Sequence, residues 1–212
     1  MLDALGTLLS FEPPAPHLRA ELRARGYEVD DAAAREAMRA EIAYYRAHFD
    51  EGRDRASVDA LRMRCAAAME PALPGVPRTT ILDALLAALR FFAYPDSAPT
   101  LMTLREAGIR LVAVSNWDWS LHERLSETGL TPLLDGAVAS AEVGVAKPDP
   151  AIFARALELA GTTDAWHVGD TPEADVAGAR AAGLRPILID RSGAAPGAIR
   201  SLTELIPLAV RR

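Results

Sequence analysis

The sequence predicts an α/β fold, in which a Rossmann-like doubly wound parallel sheet carries an inserted all-helical domain. Helical and strand-like segments alternate from Ala98 onward, which is typical of a parallel sheet with helices on both faces. Residues 16–92 are rich in helix-forming Ala, Arg, Glu and Leu and almost lack β-branched runs. We therefore assign residues 1–13 and 96–212 to the Rossmann-like core and residues 14–95 to the helical domain.

Four helices are predicted in the helical domain, each beginning near a polar residue that can cap it. Three of the expected caps are Asp30 for the helix of residues 31–49, Ser57 for the next helix, and Thr79 or Thr80 for the helix of residues 81–92. The spacing of apolar residues does not reveal which side of each helix faces a ligand.

The core is predicted from the alternation of short apolar runs with amphipathic segments. The expected strands are residues 109–114, 137–139, 166–168 and 186–189. The expected helices are a segment that ends at Gly108 and residues 120–127, 150–160 and 173–182.

Composition narrows the function classes. Half of the 212 residues are hydrophobic and 25% are charged, as in globular proteins with a packed core. The net charge of −6 argues against nucleic acid as the main partner, because that affinity depends on Lys and Arg that neutralise phosphates. No segment has the apolar length of a membrane helix or the pattern of a secretory signal, so we expect a cytoplasmic protein. We also expect a small, anionic substrate, and a protein that is a monomer or a homodimer.

Polar clusters follow the predicted strands. Asp3 comes after Met1 and Leu2, Ser115 and Asn116 follow the strand of residues 109–114, Lys147 comes after the next strand, and Asp170 to Asp175 follow residues 166–168. Ligands of such sheets bind at the carboxyl ends of the strands. The sequence therefore predicts that these side chains share one pocket.

The set comprises three carboxylates, one amine and one hydroxyl, which suits attack by a carboxylate on phosphorus or carbon. A magnesium ion bound to oxygen ligands would offset repulsion between these carboxylates and a phosphate. Ser115 and a backbone amide near Asn116 are candidates to hold a transferring oxygen. Lys147 is the sole lysine among 23 basic residues, which favours a specific role for its compact charge.

These residues resemble the four signature motifs of the haloacid dehalogenase superfamily, in the order of its subfamily IA, which has a helical cap inserted after the first motif. The resemblance implies Asp3 as nucleophile, Ser115 as the phosphate-holding hydroxyl and Lys147 as the neutralising lysine. It also implies a Mg²⁺ site formed by Asp3, the backbone carbonyl of Leu5, and Asp170 supported by Asp175. The fourth motif, Gly-Asp-x-x-x-x-Asp at residues 169–175, is the most specific of the four.

One position departs from the pattern. Phosphatases of this family usually carry a second Asp two residues after the nucleophile, where it protonates the leaving group, but here that residue is Leu5. Dehalogenating members carry an aromatic residue there, within a similar Asp-Ala-x-Gly-Thr motif. The acidic fourth motif, by contrast, is of the metal-binding phosphatase type.

We therefore predict a magnesium-dependent phosphatase that acts on a small phosphorylated metabolite through an aspartyl-phosphate on Asp3. A 2-haloacid dehalogenase is the alternative enzyme. A weakly active or inactive binding protein is the alternative outside the enzymes.

Two further expectations concern the start of the chain and the histidines. A strand of about five residues normally leads to such a nucleophile, whereas Met1 and Leu2 alone precede Asp3. We expect either an apolar run upstream of Met1 or a sheet that lacks the middle of this strand. The histidines show no metal-ligand spacing, and His167, within a predicted strand, is expected to be structural.

Overall fold

The computed structural model describes residues 1–209 of the chain. The chain forms two compact units, one of Met1–Ser10 with the residues from Phe92 onward and the other of Phe11–Phe91. The sequence places these boundaries three and four residues later, after residues 13 and 95. Two short paired strands, β1 (Leu9–Phe11) and β2 (Phe91–Ala93), straddle the boundaries. Composition does not mark a boundary that runs through a strand, which explains the difference.

The unit Phe11–Phe91 is helical. Its α-helices are α1 (Pro14–Ala24), α2 (Asp31–His48), α3 (Arg55–Met69) and α4 (Arg78–Ala88), with 3₁₀ turns at Phe49–Glu51 and Glu70–Ala72. Their inner faces bury Leu22, Leu61 and Ile81 in one apolar core. Asp30 caps α2 as predicted, since its Oδ1 accepts from the backbone N–H of Ala33 at 2.8 Å.

Helix α3 begins earlier than the sequence predicts. Its N-cap is Asp54, whose carboxylate accepts from the backbone N–H of Ser57 at 2.8 Å. The Ser57 hydroxyl in turn accepts from the backbone N–H of Asp54 at 2.9 Å. The prediction of Ser57 as the cap is therefore wrong, because Ser57 completes a capping box from inside the helix.

Helix α4 differs from the prediction at both ends. It begins at Arg78, after Pro77 at the N-cap position, rather than at Ile81, and it ends at Ala88. The following residues Phe91–Ala93 form β2 instead of continuing the helix. Aromatic residues favour strands, and pairing with β1 satisfies their backbone groups.

The other unit is built on a parallel sheet, which confirms the predicted α/β class. Its strands are β3 (Val112–Ser115), β4 (Gly136–Ala139), β5 (Trp166–Gly169) and β6 (Arg185–Leu188). β3 pairs with β4 and β5 pairs with β6, both in parallel. Leu2 joins the two pairs through parallel bridges to Ala113 and Val168. The order across the sheet is thus β4, β3, Leu2, β5, β6.

Helices surround this sheet. They are α5 (Ser97–Glu106), α6 (Leu121–Glu127), α7 (Ser140–Val143), α8 (Pro150–Ala160), α9 (Gly178–Ala181) and α10 (Leu205–Ala209), with 3₁₀ turns at Thr131–Leu133 and Leu202–Glu204. Ile152 and Phe153 of α8 pack with Val112 and Val114 of β3 in the core of this unit. None of the helices in the described part of the chain has the length and apolarity needed to cross a membrane.

Two predicted elements of this unit are wrong in detail. The strand predicted from residue 109 begins at Val112. The helix predicted over residues 173–182 is divided into a π-helical turn, Pro172–Ala177, and the short α9. A Cβ on Gly178 would lie 2.8 Å from Cα of Pro148, so the close approach of these segments requires glycine at the junction. π-Helical turns are frequent at functional sites.

Candidate active site

Asp3 is fixed at the carboxyl end of the sheet by its backbone. The N–H of Leu2 donates to the carbonyl of Val112 at 2.9 Å, and the N–H of Asp3 donates to the carbonyl of Val168 at 2.8 Å. These two bonds fix the backbone of Leu2 and Asp3 to the neighbouring strands β3 and β5. The carboxylate therefore starts from a rigid position, and Asp3 is buried.

Two predicted site residues contact the Asp3 carboxylate. The hydroxyl of Ser115, the last residue of β3, donates to Oδ1 of Asp3 at 2.9 Å. The Nζ of Lys147 donates to the same oxygen at 2.6 Å. The structure thus brings together residues from positions 3, 115 and 147 that the sequence places after three different strands.

Lys147 bridges two acids. Its Nζ also donates to Oδ1 of Asp175 at 2.6 Å, and the Lys147 side chain is buried. Burial alone would lower the pKa of Lys147, but the charges of Asp3 and Asp175 outweigh it and raise the pKa above its usual value. The ammonium is therefore held in its charged form between the two carboxylates.

Asp175 has a partner for each of its oxygens. Besides Lys147, Nε2 of His167 lies 2.8 Å from Oδ1, and the backbone N–H of Thr171 donates to Oδ2 at 3.0 Å. Burial would raise the pKa of Asp175, but the hydrogen bond from His167 and the charge of Lys147 lower it to about 2. Asp175 is thus an ionised hydrogen-bond acceptor that fixes the positions of Lys147, His167 and the Thr171 amide.

His167 belongs to this cluster, although the sequence predicts only a structural role for it. The side chain is fully buried, and its ring meets that of Phe153 edge-on at 5.0 Å between centroids. Burial lowers the pKa of His167 and favours the neutral ring, which donates through Nε2 to Asp175. A spacing of eight residues between His167 and Asp175 carries no periodic signal from which this contact is predictable.

Asn116 has a side-chain role in addition to the sequence prediction, which concerns a backbone amide near this residue. Its side chain does not bond to the carboxylates but clamps the backbone of Lys147: Oδ1 accepts from the Lys147 N–H at 2.7 Å, and Nδ2 donates to the Lys147 carbonyl at 2.9 Å. This pair of bonds joins the end of β3 to the segment that carries Lys147. The Asn116 side chain therefore positions the lysine.

Asp170 stands apart from the paired acids. The residue is exposed overall, although the loop at Gly6 closely approaches its carboxylate, and the hydroxyl of Thr171 donates to its Oδ1 at 3.2 Å. Burial of the carboxylate and then the negative charges of Asp3 and Asp175 raise the pKa of Asp170. Oxygen atoms of the three Asp residues lie within 4.8 Å of one another, so the cluster combines like charges at short range.

The loop after Asp3 approaches Asp170 closely. Gly6 has φ +85°, and a Cβ there would lie 2.1 Å from Oδ2 of Asp170, so this position requires glycine for both reasons. Leu5, just before it, leaves 38% of its surface exposed. The segment that follows the nucleophile thus presents a hydrocarbon side chain to solvent.

Arg191 anchors the same loop from the other side. Its Nη2 donates to the carbonyl of Thr7 at 2.5 Å and pairs with Asp96 at 3.0 Å, and its guanidinium lies 3.6 Å from the ring centroid of Tyr94. Sequence analysis misses this residue. Arg191 and Thr7 are 184 positions apart, and no motif links them.

Comparison with known proteins gives a consistent result. The model of the haloacid dehalogenase-like hydrolase family matches residues 1–183. A glyceraldehyde 3-phosphate phosphatase of Methanopyrus kandleri is 37% identical over 139 residues, which are 63% of this chain and 58% of that protein. The chain spans about half the length of the curated relatives it matches.

Solved structures agree on the fold. A HAD phosphatase from Thermococcus onnurineus superposes with a TM-score of 0.66 at 27% identity and covers 98% of this chain and 95% of its own. A 2-haloacid dehalogenase from Pseudomonas syringae superposes with a TM-score of 0.69 at 24% identity, over 99% of this chain and 96% of its own. The fold is therefore shared by proteins with both of the enzyme names considered from the sequence.

Proposed function

This chain belongs to the haloacid dehalogenase-like hydrolase family, and from that premise we propose that it is a magnesium-dependent phosphatase that accepts a phosphoryl group on Asp3. The observation that carries the proposal is the setting of the Asp3 carboxylate. It is bonded to Ser115 and Lys147 and lies within 4.8 Å of two further carboxylates. A carboxylate nucleophile, a fixed cation and a cluster of oxygen ligands are the parts that phosphoryl transfer requires.

The charges of the cluster support a divalent cation. Three carboxylates face one ammonium, and the pKa of Asp170 is raised by partial burial of its carboxylate and then by the negative charges of Asp3 and Asp175. Carboxylate oxygens are the ligands that Mg²⁺ prefers. The three carboxylates fit such an ion, with Asp3 and Asp170 as ligands and Asp175 in support. The family resemblance adds the backbone carbonyl of Leu5 as a further ligand. When bound, the ion would neutralise charge between the nucleophile and the phosphate.

The chain's own residues suffice to describe the two chemical steps. An oxygen of Asp3 attacks phosphorus, the substrate oxygen leaves with the electron pair of its bond to phosphorus, and an aspartyl-phosphate forms. Ser115 and Lys147 orient and stabilise the transferring group, a role that electrostatic preorganisation makes effective. Water then attacks the phosphorus, the bond from phosphorus to Asp3 breaks, and the Asp3 carboxylate is regenerated, while both protons of that water remain on the released phosphate.

A 2-haloacid dehalogenase is the second candidate, and Leu5 within Asp-Ala-Leu-Gly-Thr is the observation that favours it. In that reaction Asp3 would attack carbon and displace halide. Asp170 argues against it, because a carbon electrophile gives no reason to keep a third, poorly compensated carboxylate beside Asp3. We therefore rank phosphatase activity first.

The test is to measure phosphate release from p-nitrophenyl phosphate with and without magnesium, beside halide release from 2-chloropropionate. We expect magnesium-dependent phosphate release, no halide release, and no measurable turnover by the Asp3→Asn protein. Halide release without phosphate release would establish the dehalogenase instead. Neither activity in a folded protein would favour the binding-protein alternative, and turnover at the parent rate by Asp3→Asn would show that the nucleophile is misassigned.

A further inference from the structure

Transfer of a phosphoryl group to Asp3 requires that the substrate oxygen leave with the electron pair of its bond to phosphorus. An ordinary alcohol leaves as a strongly basic alkoxide unless a proton reaches it. A positioned general acid contributes about 10²–10⁴-fold to such a step. The acids near the nucleophile therefore decide which leaving groups the site can release.

The proton donors that contact Asp3 are bound to the nucleophile itself. Ser115 and Lys147 donate to its Oδ1 at 2.9 and 2.6 Å. Lys147 also donates to Asp175 at 2.6 Å, so its ammonium is held between two acids. In phosphoryl transfer the leaving oxygen departs roughly in line with, and opposite to, the attacking oxygen. These donors are thus on the attacking side.

The loop after the nucleophile offers no acid. Ala4 and Leu5 are hydrocarbon side chains, Gly6 has none, and Thr7 is fully buried. Of these, Leu5 is the side chain with substantial exposure, at 38%. The loop therefore places an exposed apolar side chain, and no acid, two residues after the nucleophile.

A cleft beside the loop is lined by Gly6, Tyr94, Asp170 and Asp190, among others. The Asp190 carboxylate accepts from the hydroxyl of Ser192 at 2.6 Å and from the backbone N–H of Ala195 at 2.6 Å. These bonds lower the pKa of Asp190 to about 2, so it holds no proton at neutral pH. The ring of Tyr94 is covered by the Arg191 guanidinium at 3.6 Å. Neither residue is a ready source of a proton. Asp170, which also lines this cleft, is taken up as a metal ligand in the proposed function and so is not free to donate a proton.

We propose that this enzyme acts on phosphoryl compounds whose leaving group departs without a proton, an inference that rests on the proposed phosphatase activity. The class comprises acyl phosphates and the phosphate esters of acidic hydroxyls, such as phenols and enols, in place of the phosphate esters of ordinary alcohols. The exposed Leu5 side chain next to a complete nucleophile site carries this inference.

The proposed step balances without an acid. The bond from an Asp3 oxygen to phosphorus forms, and the bond from phosphorus to the carboxylate, phenolate or enolate oxygen breaks. That oxygen keeps the electron pair and leaves as a stable anion. In the second step the Asp3 carboxylate is itself the leaving group, and as a weak base it also needs no proton.

The experiment compares kcat/KM, in the presence of magnesium, for acetyl phosphate, a series of substituted phenyl phosphates, and glycerol phosphate. We expect a steep fall as the leaving group becomes more basic, with glycerol phosphate lower than p-nitrophenyl phosphate by about 10²-fold or more. Comparison of the acetyl and aryl arms shows which member of the class the site prefers. Leu5→Asp supplies an acid at the loop, and Leu5→Asn is its control of equal size.

We expect Leu5→Asp to raise the ratio of alkyl to aryl turnover by about 10-fold or more, and Leu5→Asn to leave that ratio near the parent value. Comparable rates on glycerol phosphate and p-nitrophenyl phosphate in the parent protein would overturn the inference while the phosphatase function stands. Equal ratios in the two Leu5 variants, or selective loss of alkyl turnover in Tyr94→Phe, would also overturn it. Turnover of none of these compounds by the folded parent would instead reject the phosphatase function.

Discussion

Asp170 and Asp175 lie five positions apart in one motif, yet they differ in burial, in hydrogen-bond partners and in the direction of their pKa shifts. Asp175 is buried, bonds to Lys147, His167 and the Thr171 amide, and has a pKa lowered to about 2. Asp170 is exposed as a residue, but its carboxylate is partly buried beside the loop at Gly6 and lies near the other acids, and both effects raise its pKa. The comparison shows that Asp175 stabilises the site through its bonds to neighbouring residues, whereas Asp170 is available to bind an added cation.

The largest expected difference between the two is in stability without metal. Asp175→Asn removes a charge from a buried ion pair and leaves Lys147 undercompensated, so we expect a loss of about 3–5 kcal/mol in the free energy of unfolding. Asp170→Asn removes repulsion from Asp3 and Asp175 and should leave stability equal or slightly higher. Urea unfolding of both variants in a magnesium-free buffer measures the difference. Similar losses for both would contradict the comparison.

The next expected effect is stabilisation by magnesium. An ion that binds the folded protein at 100 times its Kd adds about 2.7 kcal/mol to the free energy of unfolding. We expect the free energy of unfolding to rise by this order in the parent protein and by little or nothing in Asp170→Asn. Thermal melting over a magnesium titration measures the effect. Glu173→Gln is the matched control, because Glu173 is an exposed carboxylate of the same motif outside the cluster. A loss of the magnesium effect in this control, or its survival in Asp170→Asn, would contradict the assignment.

The smallest expected effect is the response to acid. Since the pKa of Asp175 is lower in the folded than in the unfolded chain, its contribution is fully present above the unfolded value of about 3.9 and is lost as the pH falls through the folded value. This contribution is on the order of 2 kcal/mol. The stability advantage of the parent over Asp175→Asn should therefore shrink between about pH 4 and about pH 2.

Asp170 should show the opposite sign. Its raised pKa means that the ionised carboxylate opposes folding at neutral pH, and protonation removes this cost as the pH falls through the folded pKa. Any excess in the free energy of unfolding of Asp170→Asn over the parent protein should disappear as the pH is lowered. Urea unfolding across this pH range, without magnesium, measures both trends. Two trends of the same sign would show that the two acids do not differ as described.

The fold was predictable where local patterns are strong. Alternating helices and short apolar strands indicated the parallel sheet, and the buried residues Val112, Ala113 and Val114 of β3 form the apolar run that is typical of a central strand. The end of α4 and the division of the last predicted helix at Gly178 were not predictable. In both places a partner distant in sequence decides the backbone: β1 pairs with β2, and Pro148 packs against Gly178.

The candidate site divides in the same way. Ser115, Lys147, Asp170 and Asp175 were predictable as site candidates because each follows a predicted strand, and parallel strands end at the same edge of a sheet. Asp3 was predictable from the resemblance of its motif to the nucleophile motif of the family. The clamp by Asn116, the bond from His167 and the anchoring of the loop by Arg191 were not identifiable.

By itself, then, the sequence determined which chemical groups are present at the ends of the strands, because residue type and local periodicity are encoded in short segments. The tertiary structure alone decided how those groups are partnered. Lys147 lies 28 positions from Asp175 and 144 from Asp3, and packing brings it between them. Burial and charge at that contact set the state of each acid, so identical residues of one motif acquire different properties.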